Sequence, residues 1–416
     1  MATRQAPTRR TLLGAIPFSL AAAKAAQWPQ WRGPERDGRS TETALLEAWP
    51  DDGPRLMWRS DALGRGYSSL SVSDGKLITM GQLGNAQFVI ALDPETGDEI
   101  WRSETGPGYQ DHFDYGDGPR SSPTVHDGRV YSVDGRGVVT CNDLETGNMR
   151  WSMDTATEFG GDIPVWGRSE SPLLDEGRVI VQPGGEGAGI VALNAVDGQV
   201  LWSSGSDAAG YASAVVSTGG GVRQYVTLTA SAAVGVRASD GEPLWRYERV
   251  SNDTANIPTP VVRGDYVFVS TDYGVGCALL RLRASNGGVL ADEVYFHRDM
   301  RNHYSSCVLL GDTLYGFSAR ILTAMDFESG EVLWRDRSVG KGQLVWADNR
   351  LYVLGEAGMV ALVEPDPEAY REISRFEIGR SRNRETWTTP AIARGRLYLR
   401  DQSILRCFDI SAGSSS

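Results

Sequence analysis

The side chains best suited to metal chemistry lie in one stretch rich in glycine and aromatic residues, GPGYQDHFDYGDGPR, which ends at Arg120. It carries Asp111, Asp114 and Asp117 together with a histidine. Carboxylate oxygens and imidazole nitrogens are ligands for calcium or a transition metal. The spacing differs from the D-x-[DN]-x-[DN]-G pattern of an EF-hand loop, so a hydrated loop of turn-forming residues is the alternative. The stretch predicts either a metal site or a polar turn.

Nucleophilic catalysis and thiol chemistry find little support in the sequence. A histidine-dependent hydrolase would need a strained nucleophile turn such as G-x-S-x-G, and the chain contains no such segment. The four cysteines are widely separated and lack the short paired spacing of a zinc site or a redox dithiol. Cys141 and Cys407 stand where other copies of a repeated phrase have a small residue. We interpret them as small buried side chains, with a disulfide as the alternative in an oxidising compartment.

The elements that must position any site are encoded by a repeat. The phrase DFESGEVLW, residues 326–334, has counterparts that end at Trp101, Trp151, Trp202 and Trp245. A recurrence every 40 to 50 residues, roughly, is the signature of a repeat architecture. Within the phrase we expect the aspartate to bond turn amides, the glycine to take a positive φ, and the tryptophan to pack on the neighbouring unit. The phrase is therefore interpreted as a structural device.

Each repeat predicts four short strands. The segment from Ser121 to Trp151 alternates runs of β-branched and aromatic residues with the turn sequences HDG, DGRG and ETG, as antiparallel hairpins do. The units end near Trp101, Trp151, Trp202, Trp245, Val294, Trp334 and Phe376. An eighth unit supplies three strands, and PRLMWRS around Trp58 is expected to add the fourth, because joining the ends removes open sheet edges. The predicted fold is an all-β, eight-bladed β-propeller with four-stranded antiparallel blades, closed by an N-terminal strand.

Four segments are predicted along the chain: residues 1–25 a signal peptide, 26–55 an N-terminal arm, 56–410 the propeller and 411–416 a flexible tail. The first segment has a basic start, a short apolar run and an Ala-Lys-Ala cleavage pattern, and it is too short to span a bilayer. Arg9 and Arg10 before two leucines favour twin-arginine export, with the general secretory route as the alternative. We expect an exported monomer, periplasmic or extracellular, without a transmembrane segment in the mature chain.

The charge balance argues against one class of partner. The formal charge is -12 at pH 7, and removal of the predicted signal peptide with its four basic residues moves it to about -16. Such an acidic surface repels phosphate backbones, and the sequence has no basic stripe. No nucleic acid is therefore expected to bind.

A ligand site is expected where the inter-blade loops meet the central channel, since loops on a rigid scaffold carry function. Aligning the first strands of the blades places eight residues at that mouth: Tyr67, Arg120, Glu170, Tyr211, Asn256, His303, Lys341 and Trp387. Mixed aromatic and charged side chains suit a polar small ligand or a peptide. A solvated rim with internal salt bridges is the alternative.

The A-x-D-x-x-x-G-x-x-x-W rhythm resembles the repeat of the PQQ-binding-like, quinoprotein-type β-propeller proteins, a group that includes BamB-type outer-membrane assembly factors. The opening phrase WPQWRGPERDG, from Trp28 to Gly38, together with GPRSSPTV and GRLYLRD, is similar to a secreted bacterial subset. The resemblance covers nearly the whole mature chain and implies the fold more than the activity. Trp28 and Trp31 are interpreted as packing the arm over the propeller, with a docking surface for a partner as the alternative.

Among quinoprotein dehydrogenases, the resemblance implies a calcium ion held by acidic and amide side chains, an aspartate base, and often two adjacent cysteines. This sequence has no adjacent cysteine pair, and the calcium and base motifs find no residue-by-residue match. We predict a non-catalytic binding or scaffold protein of the cell envelope, whose partner is an envelope protein or a polar small ligand. The alternatives are a dehydrogenase that oxidises an alcohol or sugar with PQQ and calcium, and a metal-dependent hydrolase.

Overall fold

The computed structural model describes residues 27–113, 115–379 and 385–413. The predicted signal peptide, Asp114 and residues 414–416 of the predicted tail lie outside the described residues. The described chain forms eight four-stranded antiparallel sheets. These sheets are the blades of a ring, which confirms the predicted all-β, eight-bladed β-propeller.

The strands follow the order of the repeats. The first strand of the chain is β1 (Arg55–Ser60). Blade 1 contains β2 (Ser71–Ser73), β3 (Lys76–Leu83), β4 (Ala86–Leu92) and β5 (Glu99–Pro107). Blade 2 contains β6 (Thr124–His126), β7 (Arg129–Val133), β8 (Val138–Asp143) and β9 (Met149–Asp154), and the short helix α1 (Thr155–Phe159) follows it. Blade 3 contains β10 (Leu173–Asp175), β11 (Arg178–Val181), β12 (Ile190–Asn194) and β13 (Val200–Ser204).

The second half of the ring repeats this plan. Blade 4 contains β14 (Val215–Ser217), a 3₁₀ turn (Gly219–Gly221), β15 (Gln224–Leu228), β16 (Ala233–Arg237) and β17 (Pro243–Tyr247). Blade 5 contains β18 (Val261–Arg263), β19 (Tyr266–Thr271), β20 (Gly276–Ser285) and β21 (Gly288–His297). Blade 6 contains β22 (Val308–Leu310), β23 (Thr313–Ser318), β24 (Ile321–Asp326) and β25 (Val332–Asp336). Blade 7 contains β26 (Gly342–Ala347), β27 (Arg350–Gly355), β28 (Met359–Glu364) and β29 (Arg371–Glu377). Blade 8 contains β30 (Ala391–Ala393), β31 (Arg396–Asp401) and β32 (Ile404–Asp409).

The N-terminal strand closes the ring, as the sequence predicts. Strand β1 pairs antiparallel with β32 and becomes the outer strand of blade 8. The buried Trp58 of β1 donates from Nε1 to the carbonyl of Pro94 in blade 1 at 3.0 Å. A Cβ atom on Gly97 would lie 2.5 Å from the Trp58 ring, so the turn of blade 1 needs glycine there for close approach. The first and last segments of the propeller therefore hold each other.

The repeated phrase acts as the turn and inter-blade contact that its residues predict. Asp326 Oδ1 accepts from the backbone N–H of Ser329 at 2.8 Å, and Gly330 has a φ of 74°. Trp334 on the outer strand β25 donates from Nε1 to the carbonyl of Asp366 in blade 7 at 2.7 Å. The tryptophans of blades 1, 2 and 3 make the equivalent bond to the next blade. The phrase joins neighbouring blades and has no chemical role in itself.

Blade 5 departs from the rule in a way that the sequence only partly predicts. Tyr295, and not the neighbouring Val294, is its docking residue, and its hydroxyl donates to the carbonyl of Phe327 in blade 6 at 3.0 Å. Val294 is the exposed extra residue of a β-bulge, the place that Leu333 takes before Trp334 in blade 6, so the sequence position aligned with the tryptophans was one residue too early. Blade 4 is a second exception, because the Nε1 of its Trp245 donates to Gln224 Oε1 of the same blade at 2.6 Å.

The N-terminal arm crosses the central channel. Main-chain or side-chain hydrogen bonds from residues 28–40 reach blades 1, 2, 3, 5, 6, 7 and 8. Arg36 donates to the carbonyl of Ser171 before blade 3 at 2.8 Å, and Arg32 donates to the carbonyl of Cys307 before blade 6 at 2.6 Å. Because these blades lie on nearly opposite sides of the ring, the arm spans the channel and closes it from one side.

Several smaller sequence predictions concern the same regions. Trp28 is 1% exposed and packs in the core, as the packing interpretation predicts. All four cysteines are buried with free thiols, which agrees with their interpretation as small buried side chains. At the start of the predicted tail, Ser411 pairs with Leu45 and the Ala412 N–H donates to the arm. In the part of the chain that is described, no helix is long and apolar enough to cross a bilayer.

Candidate functional site

The open end of the channel forms a blind cup of about 350 Å³. Its walls come from the loops that lead into the first strand of each blade, together with the turn between β19 and β20. Trp31 of the crossing arm also lines it. Because the arm fills the channel below, a molecule can enter and leave this cup only through the mouth. A volume of this size is in the range of small-molecule sites.

Six of the eight residues predicted at the mouth line the cup: Tyr67, Arg120, Tyr211, His303, Lys341 and Trp387. Glu170 and Asn256 do not line it, which corrects the sequence alignment. Asn256 is 1% exposed and its amide donates to the carbonyls of two residues in blade 4, at 3.0 and 2.9 Å. Glu170 is buried and accepts from the Gln182 N–H at 2.8 Å. Both side chains therefore stabilise the loops that form the wall. Alignment of the first strands placed them at the mouth because the loops enter their strands at different registers.

Nine further residues line the cup: Ser169, Ser213, Ala255, Ile257 and five aromatic residues that alignment of the first strands does not find. The aromatic residues are Trp31, Tyr115, Trp166, Tyr273 and Tyr304. Tyr115 and Trp166 belong to long inter-blade loops, and Tyr273 lies in the turn between β19 and β20. The concentration of aromatic residues in these loops is the sequence signal that could have identified them as lining residues. Their shared position depends on tertiary contacts.

The aromatic rings form two connected groups around the mouth. The Trp387 ring centroid lies 5.2 Å from Tyr67, 5.6 Å from Tyr115 and 5.7 Å from Tyr304. On the other wall, the Trp166 centroid lies 5.8 Å from Tyr211 and 6.0 Å from the exposed Phe113. These separations are typical of interacting aromatic pairs, which favour tilted or offset rings. Of these rings Tyr67 and Tyr211 are buried, whereas Trp166, Trp387 and Tyr115 keep exposed surface.

The two cationic residues of the cup differ in how fully they are engaged. Arg120 donates to the carbonyl of Trp166 at 2.8 Å and pairs with the buried carboxylate of Asp111 at 3.2 Å. Lys341 Nζ lies 5.2 Å from the Tyr304 ring centroid and 3.9 Å from Glu356 Oε2, which is beyond hydrogen-bond length. The Arg120 guanidinium is therefore part of the wall, whereas the Lys341 ammonium retains donors for a ligand.

Two buried polar atoms at the cup have no protein partner. They are Nδ1 of His303 and the hydroxyl oxygen of Tyr304. His303 Nε2 lies 2.8 Å from the Tyr273 hydroxyl, which fixes the ring. Burial, and secondarily the charge of Lys341, lowers the pKa of His303 to about 4, so the imidazole is neutral at pH 7. Each of these two atoms has less than 1 Å² of exposed surface, so neither is reachable from the cup in this arrangement of side chains.

The acidic loop is organised by arginines. Asp111 accepts from the Phe113 and Tyr115 N–H groups at 3.0 Å each, in addition to its pair with Arg120. Asp117 accepts from Arg65 at 2.6 Å. Asp114 lies outside the described residues. Among the described residues, no group of three or more His, Cys, Asp or Glu side chains could hold a metal ion.

The buried carboxyl of Glu170 predicts a pH dependence of stability. Burial raises its pKa to about 7, against smaller opposing effects of Arg168 and the Gln182 N–H. The stability carried by the protonated carboxyl is full below the unfolded pKa, about 4.5, and is lost as the pH rises through about 7. Between about pH 4.5 and about pH 8, the wild type is expected to lose about 3 kcal/mol of unfolding free energy through this ionisation. Glu170→Gln is expected to lack this loss, because its side chain does not ionise.

Urea unfolding of the wild type and Glu170→Gln at these two pH values measures this effect. Glu186→Gln is the matched control, because Glu186 is exposed. The prediction fails if Glu170→Gln and the wild type lose the same stability on going to the higher pH.

Comparison with known proteins agrees with the repeat and the fold. The family described as outer membrane protein assembly factor BamB matches residues 85–335. Outer membrane protein assembly factor BamB of Shewanella oneidensis is 22% identical over 293 residues, which are 64% of this chain and 67% of that protein. The protein of the same name from Yersinia pestis is 22% identical over 295 residues, 64% of this chain and 68% of its own length.

Solved structures show the same architecture. BamB from Moraxella catarrhalis superposes with a TM-score of 0.57 at 15% identity, covering 81% of this chain and 95% of that chain. Quinohemoprotein alcohol dehydrogenase from Comamonas testosteroni superposes with a TM-score of 0.66 at 13% identity, covering 94% of this chain and 81% of that chain. At such low identity these similarities show the fold alone.

Proposed function

The chain belongs to the family of outer membrane protein assembly factor BamB, which matches it over residues 85–335, and on this premise we propose that it is a non-catalytic binding protein of the cell envelope. The name of its relatives supports an envelope role. We also propose that residues 1–25 direct export to the periplasm or the exterior. The ligand would bind in the blind cup, and an envelope protein could bind at its rim.

The observation that carries the proposal is the concave aromatic cup with one ammonium group in its lining. Trp166, Trp387 and Tyr115 line the cup together with Lys341, whose Nζ lies 3.9 Å from Glu356 Oε2. Concave sites lined mainly by aromatic side chains with a few polar groups are typical of ligand pockets. The cup therefore suits a ligand that has an apolar face and an acceptor for the ammonium.

Catalysis by His303 has weaker support. Its Nε2 partner is the Tyr273 hydroxyl, and no carboxylate residue lines the described part of the cup. With a pKa near 4, the imidazole is a weak base at pH 7, whereas an efficient general base has a pKa near the working pH. Binding accounts for the arrangement more fully than proton transfer does.

The rim favours a macromolecular ligand or partner. Tyr273 lines the cup and is 45% exposed, Phe113 packs on the lining residue Trp166 and is 59% exposed, and Val165, which precedes Trp166, is 51% exposed. Exposed apolar residues grouped around a concave site mark interaction surfaces. An envelope macromolecule could place one terminal group in the cup and rest on this rim. A scaffold role toward an envelope protein is the second candidate that this rim supports.

The quinone alternative does not fit the residues of the cup. The described lining contains no Asp, Glu, Asn or Gln, so it lacks the oxygen ligands that a calcium ion needs. The nearby carboxylates of Asp111 and Glu356 face Arg120 and Lys341. The arm occupies the channel below the cup.

Replacing Trp387 tests the proposed site. Trp387→Ala is expected to weaken ligand binding about tenfold or more, because it removes the ring that three other aromatic residues contact. The mature protein is purified from its native host, and the non-covalent ligand is detected by native mass spectrometry. Trp346→Ala is the matched control, since this tryptophan lies under Arg39 of the arm, away from the cup. Retention of the ligand by Trp387→Ala would contradict the proposal.

A further inference from the structure

The cup admits only the end of a molecule. Its floor includes Trp31, whose Nε1 donates to Thr259 Oγ1 at 2.9 Å. The arm on either side is held by main-chain bonds and by the buried Arg32 and Arg36. A polymer therefore cannot thread through the ring. One terminal unit can enter, and the units behind it would lie on the rim.

The walls favour a ring with apolar faces. Trp387 and Tyr115 contribute rings that are not buried to one wall, and Trp166 contributes one to the other wall. The electron-rich face of an aromatic ring attracts the positively polarised C–H groups of a saturated ring. A pyranose has such C–H faces, and its hydroxyl groups project from its edge. This geometry matches the cup better than a linear chain does.

The Lys341 ammonium argues against a purely aromatic ligand. A hydrocarbon or simple arene in the cup would displace water from this charge and offer it no acceptor, which is unfavourable. Sugar hydroxyls and carboxylates accept hydrogen bonds, so the edge of a sugar ring supplies the acceptors that an arene lacks.

The charge of the cup selects among sugars. Arg120 is committed to Asp111 and to main-chain carbonyls, so the available charge belongs to Lys341. Its nearest carboxylate, on Glu356, is 3.9 Å away. A carboxylate on the ligand could approach the ammonium more closely and form a charge-assisted hydrogen bond.

We propose that the cup binds the terminal pyranose ring of an acidic glycan, a uronic acid, with its carboxylate on Lys341 and a C–H face of the ring against the aromatic wall. This inference rests on the proposed function, that the cup is a ligand site. No covalent step is involved. The terminal unit is recognised, and the rest of the glycan remains outside on the aromatic rim formed by Phe113 and Tyr273.

Titration of the mature protein with methyl glycosides tests the proposal. The probes are the methyl glycosides of glucuronate, galacturonate, glucose and galactose, with binding followed by tryptophan fluorescence and calorimetry. We expect a Kd of about 1 mM for at least one uronate, as suits a ligand of so few atoms, and at least about tenfold weaker binding of its neutral counterpart. A short uronate oligosaccharide is expected to bind more tightly, because it also contacts the rim.

Lys341→Met is the decisive variant. It is expected to lower uronate affinity about tenfold, to that of the neutral sugar, and to leave neutral-sugar affinity unchanged. Lys76→Met is the matched control, because Lys76 pairs with Glu145 in the next blade and does not line the cup. Equal affinity for uronate and neutral sugars, or an unchanged preference in Lys341→Met, overturns the acidic-glycan proposal.

The two proposals can fail separately. If no sugar binds but the protein from its native host carries a ligand that Trp387→Ala loses, the sugar inference is overturned and the ligand site stands. If no sugar binds and Trp387→Ala changes nothing in the host-derived protein, both are overturned.

Discussion

Trp58→Ala is expected to lower the free energy of unfolding by about 3–5 kcal/mol, the range for truncating a buried aromatic residue. The expected loss is large because Trp58 joins the two ends of the chain. Its ring lies against the Gly97 turn and Tyr398, its indole bonds Pro94, and its own strand completes blade 8. Truncation leaves a cavity where the ring closes and weakens the one strand that covers the edge of β32.

Urea unfolding followed by circular dichroism measures this loss. Met57→Ala is the matched control, since the neighbouring methionine on the same strand is 37% exposed. We expect the control to change the unfolding free energy by less than about 1 kcal/mol. Similar losses in the two variants would show that Trp58 has no special part in closure.

Arg32→Ala is expected to cost about 3–5 kcal/mol, the range for removing one partner from a buried polar cluster. Arg32 is 3% exposed, and its guanidinium donates to the carbonyls of Asp37, Ser306 and Cys307. Burial lowers its pKa to about 10, so it remains charged at pH 7. Without it, buried carbonyls at blade 6 lose their donor, and the arm loses its anchor on that side of the channel.

Two measurements distinguish loss of the anchor from general destabilisation. Urea unfolding gives the energy, and limited proteolysis under native conditions reports release of the arm. Arg39→Ala is the control, because Arg39 is an exposed arginine of the same arm, stacked on Trp346 at 5.1 Å. An Arg32→Ala protein whose arm resists protease as the wild type does would contradict the assigned role of Arg32.

The position of the arm also matters for the cup. Trp31 is the neighbour of Arg32 and lines the cup, so the anchor and the floor are adjacent in the chain. A variant that releases the arm is therefore expected to open the cup to the other side of the ring. Stability of the channel and binding at the mouth are coupled through this segment.

The sequence by itself determined what is local and repeated. The Asp, Gly and Trp of DFESGEVLW specify a turn, a positive φ and a packing residue within nine positions, and the structure has each of them. Repetition makes such a signal readable, because each copy confirms the others. The missing strand of blade 8 then required a partner, and the N-terminal Trp58 segment supplied it.

Only the tertiary structure decided what depends on unrepeated, long-range contacts. The path of the arm across the channel depends on Arg32 and Arg36, which donate hydrogen bonds to carbonyls 275 and 135 positions away in the chain. Loops of different length bring four aromatic residues into one cup: Tyr115, Trp166, Tyr273 and Tyr304. A shift of register turns Glu170 and Asn256 into the wall. Such positions are fixed by packing among distant segments, which leaves no period in the sequence.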